Sequence, residues 1–369
     1  MNNTRITDAV LGRRSFMKRV GLAGLAAPVG VSLLRGMTAL GDTHGPKLRK
    51  GDEAILRFLA AAELIESDLW TQYAELGGIG GNSPIEVDPG QTLNAYQAAL
   101  SNLDADGPQY ITSNTLDEVS HANFLNAYLK FRGGESVDFD SFRTLQGSTA
   151  TGSSGIGRLT NLTQLNVDTS WFVRYRSATN PDFGATYPQA VTITNRTAIP
   201  ITDADLNGSA DHIQVIANTA AFHFGYIEQG GSSLYAVMSQ KVSDPEVLQV
   251  TIGIGGDEIA HFLEWVDFSG NGVQAPVAPV TDQGLTFPDF FSAQNPLVQP
   301  SLIFPVPCEF ISPDVPHVSV IRPLSDQFAG AVAAIASFTA DGLFIGQSNQ
   351  FLDELQSMAE AADAATRDI

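Results

Sequence analysis

Two glutamate–histidine pairs of identical spacing constrain this chain more than any other feature of it. They read Glu118-Val-Ser-His121 and Glu258-Ile-Ala-His261. On an α-helix, residues three apart share a face, so each pair can aim a carboxylate and an imidazole at one point. An inward glutamate on an apolar helix is costly unless it is paired or holds a metal. Two such helices therefore point to a shared polar centre.

The periodicity around the pairs is helical. Over 52–76, Ile55, Leu56, Leu59, Ala62, Ile65, Leu69 and Tyr73 recur at three- and four-residue steps, and Gly77-Gly78 ends the run. A second helical region is expected over 91–131, interrupted near Asp104–Pro108 and closed by Gly133-Gly134. A third covers 208–241 and a fourth 245–268, the latter with Pro245 in its first turn. A last helix is expected over 324–365.

Residues 135–206 change texture. They are rich in Gly, Ser, Thr and Asn, with short β-branched or aromatic runs such as WFVRYR and AVTITNRT that suggest a few strands or extended segments. Seventy residues are too many for a plain connection, so this insertion is expected to pack on the helices or carry specificity. Residues 274–323 hold ten of the nineteen prolines and cannot be regular helix.

The first and third helical segments supply single glutamates. Placing Glu63 over Glu228 aligns Ser67 with Ser232, Leu69 with Leu234 and Trp70 with Tyr235. The order Glu, ExxH, Glu, ExxH then reads as a repeated helix pair. The register is ambiguous in the first segment, where Glu66 also has an aromatic, Tyr73, seven residues on; the alignment favours Glu63. Gly230-Gly231 beside Glu228 departs from good helix chemistry, at roughly 1 kcal/mol each against Ala. A π-bulge, a close helix contact and a simple bend are all open there.

The motifs AAELIESDLW, LDEVSHANFL, FGYIEQGGSSLY and GGDEIAHFLEW resemble the ferritin-like superfamily, in the branch of exported bacterial ferritin-like proteins and plant desiccation-related proteins. The resemblance covers about 52–131 and 208–268. It implies a mainly α fold: a ferritin-like four-helix bundle with a long, partly β or irregular insertion between helices 2 and 3 and a Pro-rich extension ending in a helix. It also implies two metal ions held by Glu63, Glu118, His121, Glu228, Glu258 and His261. The carboxylate-rich ligand set suits iron first and manganese second. The expected function is redox chemistry with dioxygen or peroxide, ferroxidase-like or catalase-like. The alternative is a non-enzymatic stress- or desiccation-related protein with a structural or empty site. Partners are then metal ions and small oxidants, with a homo-oligomer left open.

The remaining features fit an exported protein. Residues 12–18, GRRSFMK, resemble a twin-arginine signal, and the apolar run Val20–Leu34 is too short to span a bilayer comfortably. A signal over 1–41 is expected, with cleavage after Ala39-Leu40-Gly41 and an uncleaved anchor as the alternative. The domain plan is this signal, a bundle over 52–268 interrupted by 135–206, and an extension over 269–369. Export by this route would leave the mature chain periplasmic or secreted, without a stable membrane span.

The formal charge of -20 argues against nucleic acid as a partner. The lone Cys308 excludes an internal disulfide and has no histidine near it in sequence. No phosphate loop or GxSxG elbow is present. His223 is expected to serve the core or to support a ligand from behind rather than to bind metal itself, and His44, His212 and His317 are expected at the surface or in loops. Asp117 and Asp257 each precede an ExxH glutamate but point about 100° away from it on their own helix. Service to a neighbouring helix or to solvent is therefore expected of them.

Overall fold

The computed structural model describes residues 46–78, 93–103, 107–174, 189–270, 279–290, 312, 314–316 and 330–368. The chain divides into two units, Met1–Pro46 and Lys47–Ile369, and only Pro46 of the first is described. The expected export signal over 1–41, His44, Cys308, His317 and most of the Pro-rich segment lie outside the described residues.

The protein is mainly helical. Four long helices dominate it: α1 (Lys50–Gly77), α2 (Gly107–Phe131), α5 (Ala210–Lys241) and α6 (Pro245–Gly270). α1 packs along α2, and α5 along α6. The two short helices α3 (Ser170–Arg174) and α4 (Asp203–Leu206) belong to the insertion, and α7 (Ala331–Asp341) and α8 (Asn349–Asp363) close the chain. Among the described residues no helix is long and apolar enough to cross a membrane.

Local chemistry sets the boundaries. Ser209 caps α5, its hydroxyl accepting from the His212 amide at 3.1 Å. Beyond α2, Gly133 takes a positive φ of 72° and the Gly134 amide returns to the Leu129 carbonyl at 2.8 Å. Asp52 in the first turn of α1 accepts the Ser243 and Asp244 amides, at 2.8 and 3.1 Å, and so ties α1 to the α5–α6 turn. His212 is half-buried rather than free: it bonds Asp205 at 3.1 Å and Asp282 at 2.7 Å.

Three expectations need correction. Residues 95–100 form turns, and helix begins only at Gly107. The WFVRYR run is helical over Ser170–Arg174, not a strand. The final helix is two, because Gly342 adopts a left-handed φ of 92° and ends α7.

The insertion does pack on the long helices. Two two-residue strands, β1 (Leu145–Gln146) and β2 (Gly157–Arg158), pair antiparallel. The carboxylate of Asp68, buried on α1, accepts the Leu159 and Thr160 amides, both at 3.0 Å, the Thr160 hydroxyl at 2.7 Å, and Arg143 at 2.6 Å. Arg158 forms a buried ion pair with Glu75 of α1. Trp171 lies against Gly225 of α5, where a side chain would clash with the indole. A hairpin of β3 (Val280–Asp282) and β4 (Leu285–Phe287), turned by Gln283 and Gly284 at positive φ, rests on α5.

Candidate metal centre

Glu63 of α1, Glu118 and His121 of α2, Glu228 of α5, and Glu258 and His261 of α6 come together in the interior. None is more than 7% exposed. Their donor atoms form two overlapping groups, Glu63–Glu118–His121–Glu258 and Glu118–Glu228–Glu258–His261, each with all donors within 4.8 Å of one another. Glu118 and Glu258 belong to both. Each group thus has one histidine, one glutamate of its own and two shared glutamates, and each can hold a metal ion.

The imidazoles present Nδ1 to the cluster. His121 Nδ1 stands 3.4 Å from both Glu63 Oε2 and Glu118 Oε2, and 3.8 Å from Glu258 Oε1. His261 Nδ1 stands 3.0 Å from Glu118 Oε1 and 3.3 Å from Glu228 Oε2. The outer nitrogens are cross-braced. His121 Nε2 bonds Asp257 of α6 at 3.2 Å, and His261 Nε2 bonds Asp117 of α2 at 3.2 Å. Each aspartate therefore serves the histidine of the facing helix, not its own. Such an outer carboxylate fixes ring orientation and raises ligand basicity. Asp117 and Asp257 are 40% and 47% exposed along their side chains, so they carry the edge of the site to solvent.

Three residues of the site were not in the sequence-derived ligand set. Asn114, one turn before Glu118, donates from Nδ2 to Glu118 Oε1 (3.1 Å) and Glu228 Oε1 (2.9 Å), and this nitrogen lies 3.2 Å from His261 Nδ1. Its Oδ1 accepts from Trp265 Nε1 at 2.8 Å. The spacing to Glu118, four residues on a helix, is the only sequence signal it carries. Tyr235 donates its hydroxyl to Glu63 Oε1. Gly231 is the third: a Cβ there would lie 2.1 Å from Glu258 Oε2. The second of the paired glycines makes room for a shared carboxylate, and α5 runs through it as unbroken helix. Glu66 joins neither donor group, yet it is buried at 3% exposure beside the cluster.

The electrostatics are those of an anionic hole. Burial, then Glu228 and Glu63, push the Glu118 carboxyl up to about 8. Burial and the neighbouring glutamates likewise hold Glu258 and Glu66 well above the ordinary range. Burial works against a charged His121, but Glu118 and Glu63 outweigh it and raise the ring to about 11. His261 is raised in the same way, with Glu228, Asp117 and Glu118 overcoming burial.

Four ligand oxygens, Glu63 Oε2, Glu228 Oε2 and both of Glu258, are buried without a hydrogen-bond partner in the chain. Each such atom costs about 1–3 kcal/mol, and more when charged. Four of them at one point suit cations. The donors are carboxylate oxygens and imidazole nitrogens, with no thiolate among them. Comparison of the chain with protein-family models, characterised proteins and solved structures finds no match, so the case for this centre rests on its own geometry.

Proposed function

We propose that the chain is an exported two-metal carboxylate protein of the ferritin-like kind, its four long helices forming the bundle, and that it works by redox chemistry with dioxygen or peroxide. The simplest reaction is oxidation of Fe(II) to Fe(III). The observation that carries this reading is the pair of donor groups sharing Glu118 and Glu258 around buried carboxylate oxygens, four of which have no hydrogen-bond partner and face only the imidazoles and one another.

Bound iron or manganese would supply the electrons that reduce the oxidant. The chain's own residues do the rest. Glu63 with His121, and Glu228 with His261, define two positions, and Glu118 and Glu258 link them. Asp257 and Asp117 hold the imidazoles with Nδ1 inward. Tyr235 pins Glu63, and Asn114 pins Glu118 and Glu228. Trp70, Trp265 and Phe224 pack above the site without exposure and exclude water from that side. Asp117 and Asp257 offer an acidic edge by which a cation enters.

The test is direct. Metal-free protein is given Fe(II) aerobically while oxygen uptake and bound iron are followed. Saturable oxygen consumption with iron retained supports the proposal. Metal bound without oxygen consumption leaves a structural centre, the non-enzymatic alternative. A protein that binds nothing and consumes nothing overturns it.

A further inference from the structure

A second polar assembly lies deep in the core, outside the ligand set. The hydroxyl of Tyr73 of α1 lies 2.6 Å from Nδ1 of His223 on α5, in hydrogen-bond contact. His223 Nε2 bonds Oδ2 of Asp341, the last residue of α7, at 3.0 Å. Tyr73 and His223 are 0% exposed and Asp341 is 1% exposed. An ionised Asp341 only accepts, so the ring proton belongs on Nε2, and a neutral His223 then offers a bare Nδ1 to the Tyr73 hydroxyl.

This assembly is joined to the carboxylate site by aromatic rings in contact. Asn114, bonded to Glu118, Glu228 and His261, accepts from Trp265 Nε1. Trp265 stacks on Trp70 with centroids 5.5 Å apart and planes 20° apart. Trp70 meets Tyr73 edge-on at 5.7 Å. Phe224 fills the gap, 4.6 Å from Trp265 and 4.7 Å from Tyr73. Trp70 and Trp265 are fully buried.

We propose that Tyr73 is a redox-active tyrosine, with His223 as its proton acceptor and Trp265–Trp70 as the electron path to the two-metal site. The oxidant rests on the function proposed above. It would be a transition-metal ion held at that site, the two ions together giving two electrons to hydrogen peroxide, which takes up two protons and leaves as two waters. Tyr73 gives up one electron through Trp70 and Trp265, and the metal ion falls by one in oxidation state. The Tyr73 O–H bond breaks and its proton moves to His223 Nδ1. A neutral phenoxyl radical and an imidazolium facing Asp341 result.

The proton must move with the electron. A phenol cation left alone in this interior would cost several kcal/mol. The imidazolium is made next to a carboxylate, which offsets its burial. Return of one electron and the proton restores Tyr73, so the assembly stores one oxidising equivalent away from the metals. Mutual satisfaction of three buried polar groups would explain the hydrogen bonds but forms no radical.

The experiment has two arms. In the first, protein loaded with iron or manganese is mixed with peroxide and freeze-quenched for electron paramagnetic resonance. In the second, metal-free protein is oxidised by flash-generated tris-bipyridyl ruthenium(III). A tyrosyl signal that narrows with ring-deuterated tyrosine is expected, abolished by Tyr73→Phe and retained in Tyr226→Phe, the tyrosine whose ring stacks on His223. His223→Gln keeps the phenol and should slow radical formation about a hundredfold, as loss of a bonded base does. A signal in the metal-free arm alone keeps the tyrosine assignment and rejects the two-metal reading. A signal that survives Tyr73→Phe and vanishes in Tyr235→Phe overturns the proposal. So does a rate indifferent to His223→Gln, or no tyrosyl signal in either arm.

Discussion

Alanine in place of Gly231 would put a methyl carbon where the Glu258 carboxylate lies. The new carbon would stand 2.1 Å from Oε2 and 2.9 Å from Cδ, so the carboxylate must leave. It has no good place to go, since its neighbours are the other buried acids of the site. Alanine also favours helix over glycine by about 0.8–1 kcal/mol. Displacing one buried carboxylate costs about 1–3 kcal/mol, so metal-free stability should fall by about 0–2 kcal/mol. Metal binding should suffer heavily, because Glu258 belongs to both donor groups. At a free metal concentration of about 100 Kd, binding stabilises the fold by about 2.7 kcal/mol, and a 100-fold loss of affinity cuts that to roughly 0.4 kcal/mol. Gly230→Ala is the matched control. Its Cβ meets only Phe338 Cε1, at 3.9 Å, so it should stabilise the helix and leave the metal alone. Thermal melts of both variants with and without Mn(II) decide the matter. Equal metal-induced shifts in the two variants would refute the reasoning.

Metal-free protein should lose stability as pH rises from about 5 to 9. His121 is held up to about 11 by Glu118 and Glu63 against burial, so its contribution is full below 6.5 and fades as pH climbs through 11. Glu118 keeps its proton to about 8 in the fold and loses it from 4.5 upward when unfolded. The folded state therefore binds more protons across this window, and urea midpoints should fall with pH; a flat or rising profile would contradict the charge assignment. Asp117→Asn with Asp257→Asn should weaken metal binding about 10–100-fold, read by competition with a chelator, while the fold persists. Asp68→Ala should leave the buried Leu159 and Thr160 amides without a partner and cost about 3–5 kcal/mol. Its first sign should be proteolysis within 135–206.

How much of this was legible in the sequence depended on spacing. The ExxH pairs were readable because helical geometry alone places i and i+3 together. Glu63 was separable from Glu66 through the repeat that sets Trp70 over Tyr235, and only Glu63 reaches a donor group. In the same alignment Glu66 falls on Gly231, so the two halves of the site differ there. Asn114 was invisible, because a single amide makes no pattern until the fold brings Trp265 and Glu228 to it. The cross-bracing of Asp117 and Asp257 needed the spacing between two helices. Short runs misled in the insertion: Ser170–Arg174 carries β-branched and aromatic residues, but Trp171 and Phe172 are buried in a cluster with Phe222, and tertiary packing overrode local preference. The break at Gly342 was readable as a helix stop and was masked by the small apolar run before it.

The central claim is a centre for two metal ions, with Glu118 and Glu258 shared. Elemental analysis of the purified chain, reconstituted with iron or manganese and freed of loose ions, tests it most directly. Two ions per chain are predicted, one after Glu63→Ala or Glu228→Ala, and none held tightly after Glu118→Ala in a protein that still melts cooperatively. A wild-type chain that retains no ion, or a Glu118→Ala variant that retains both, would contradict it.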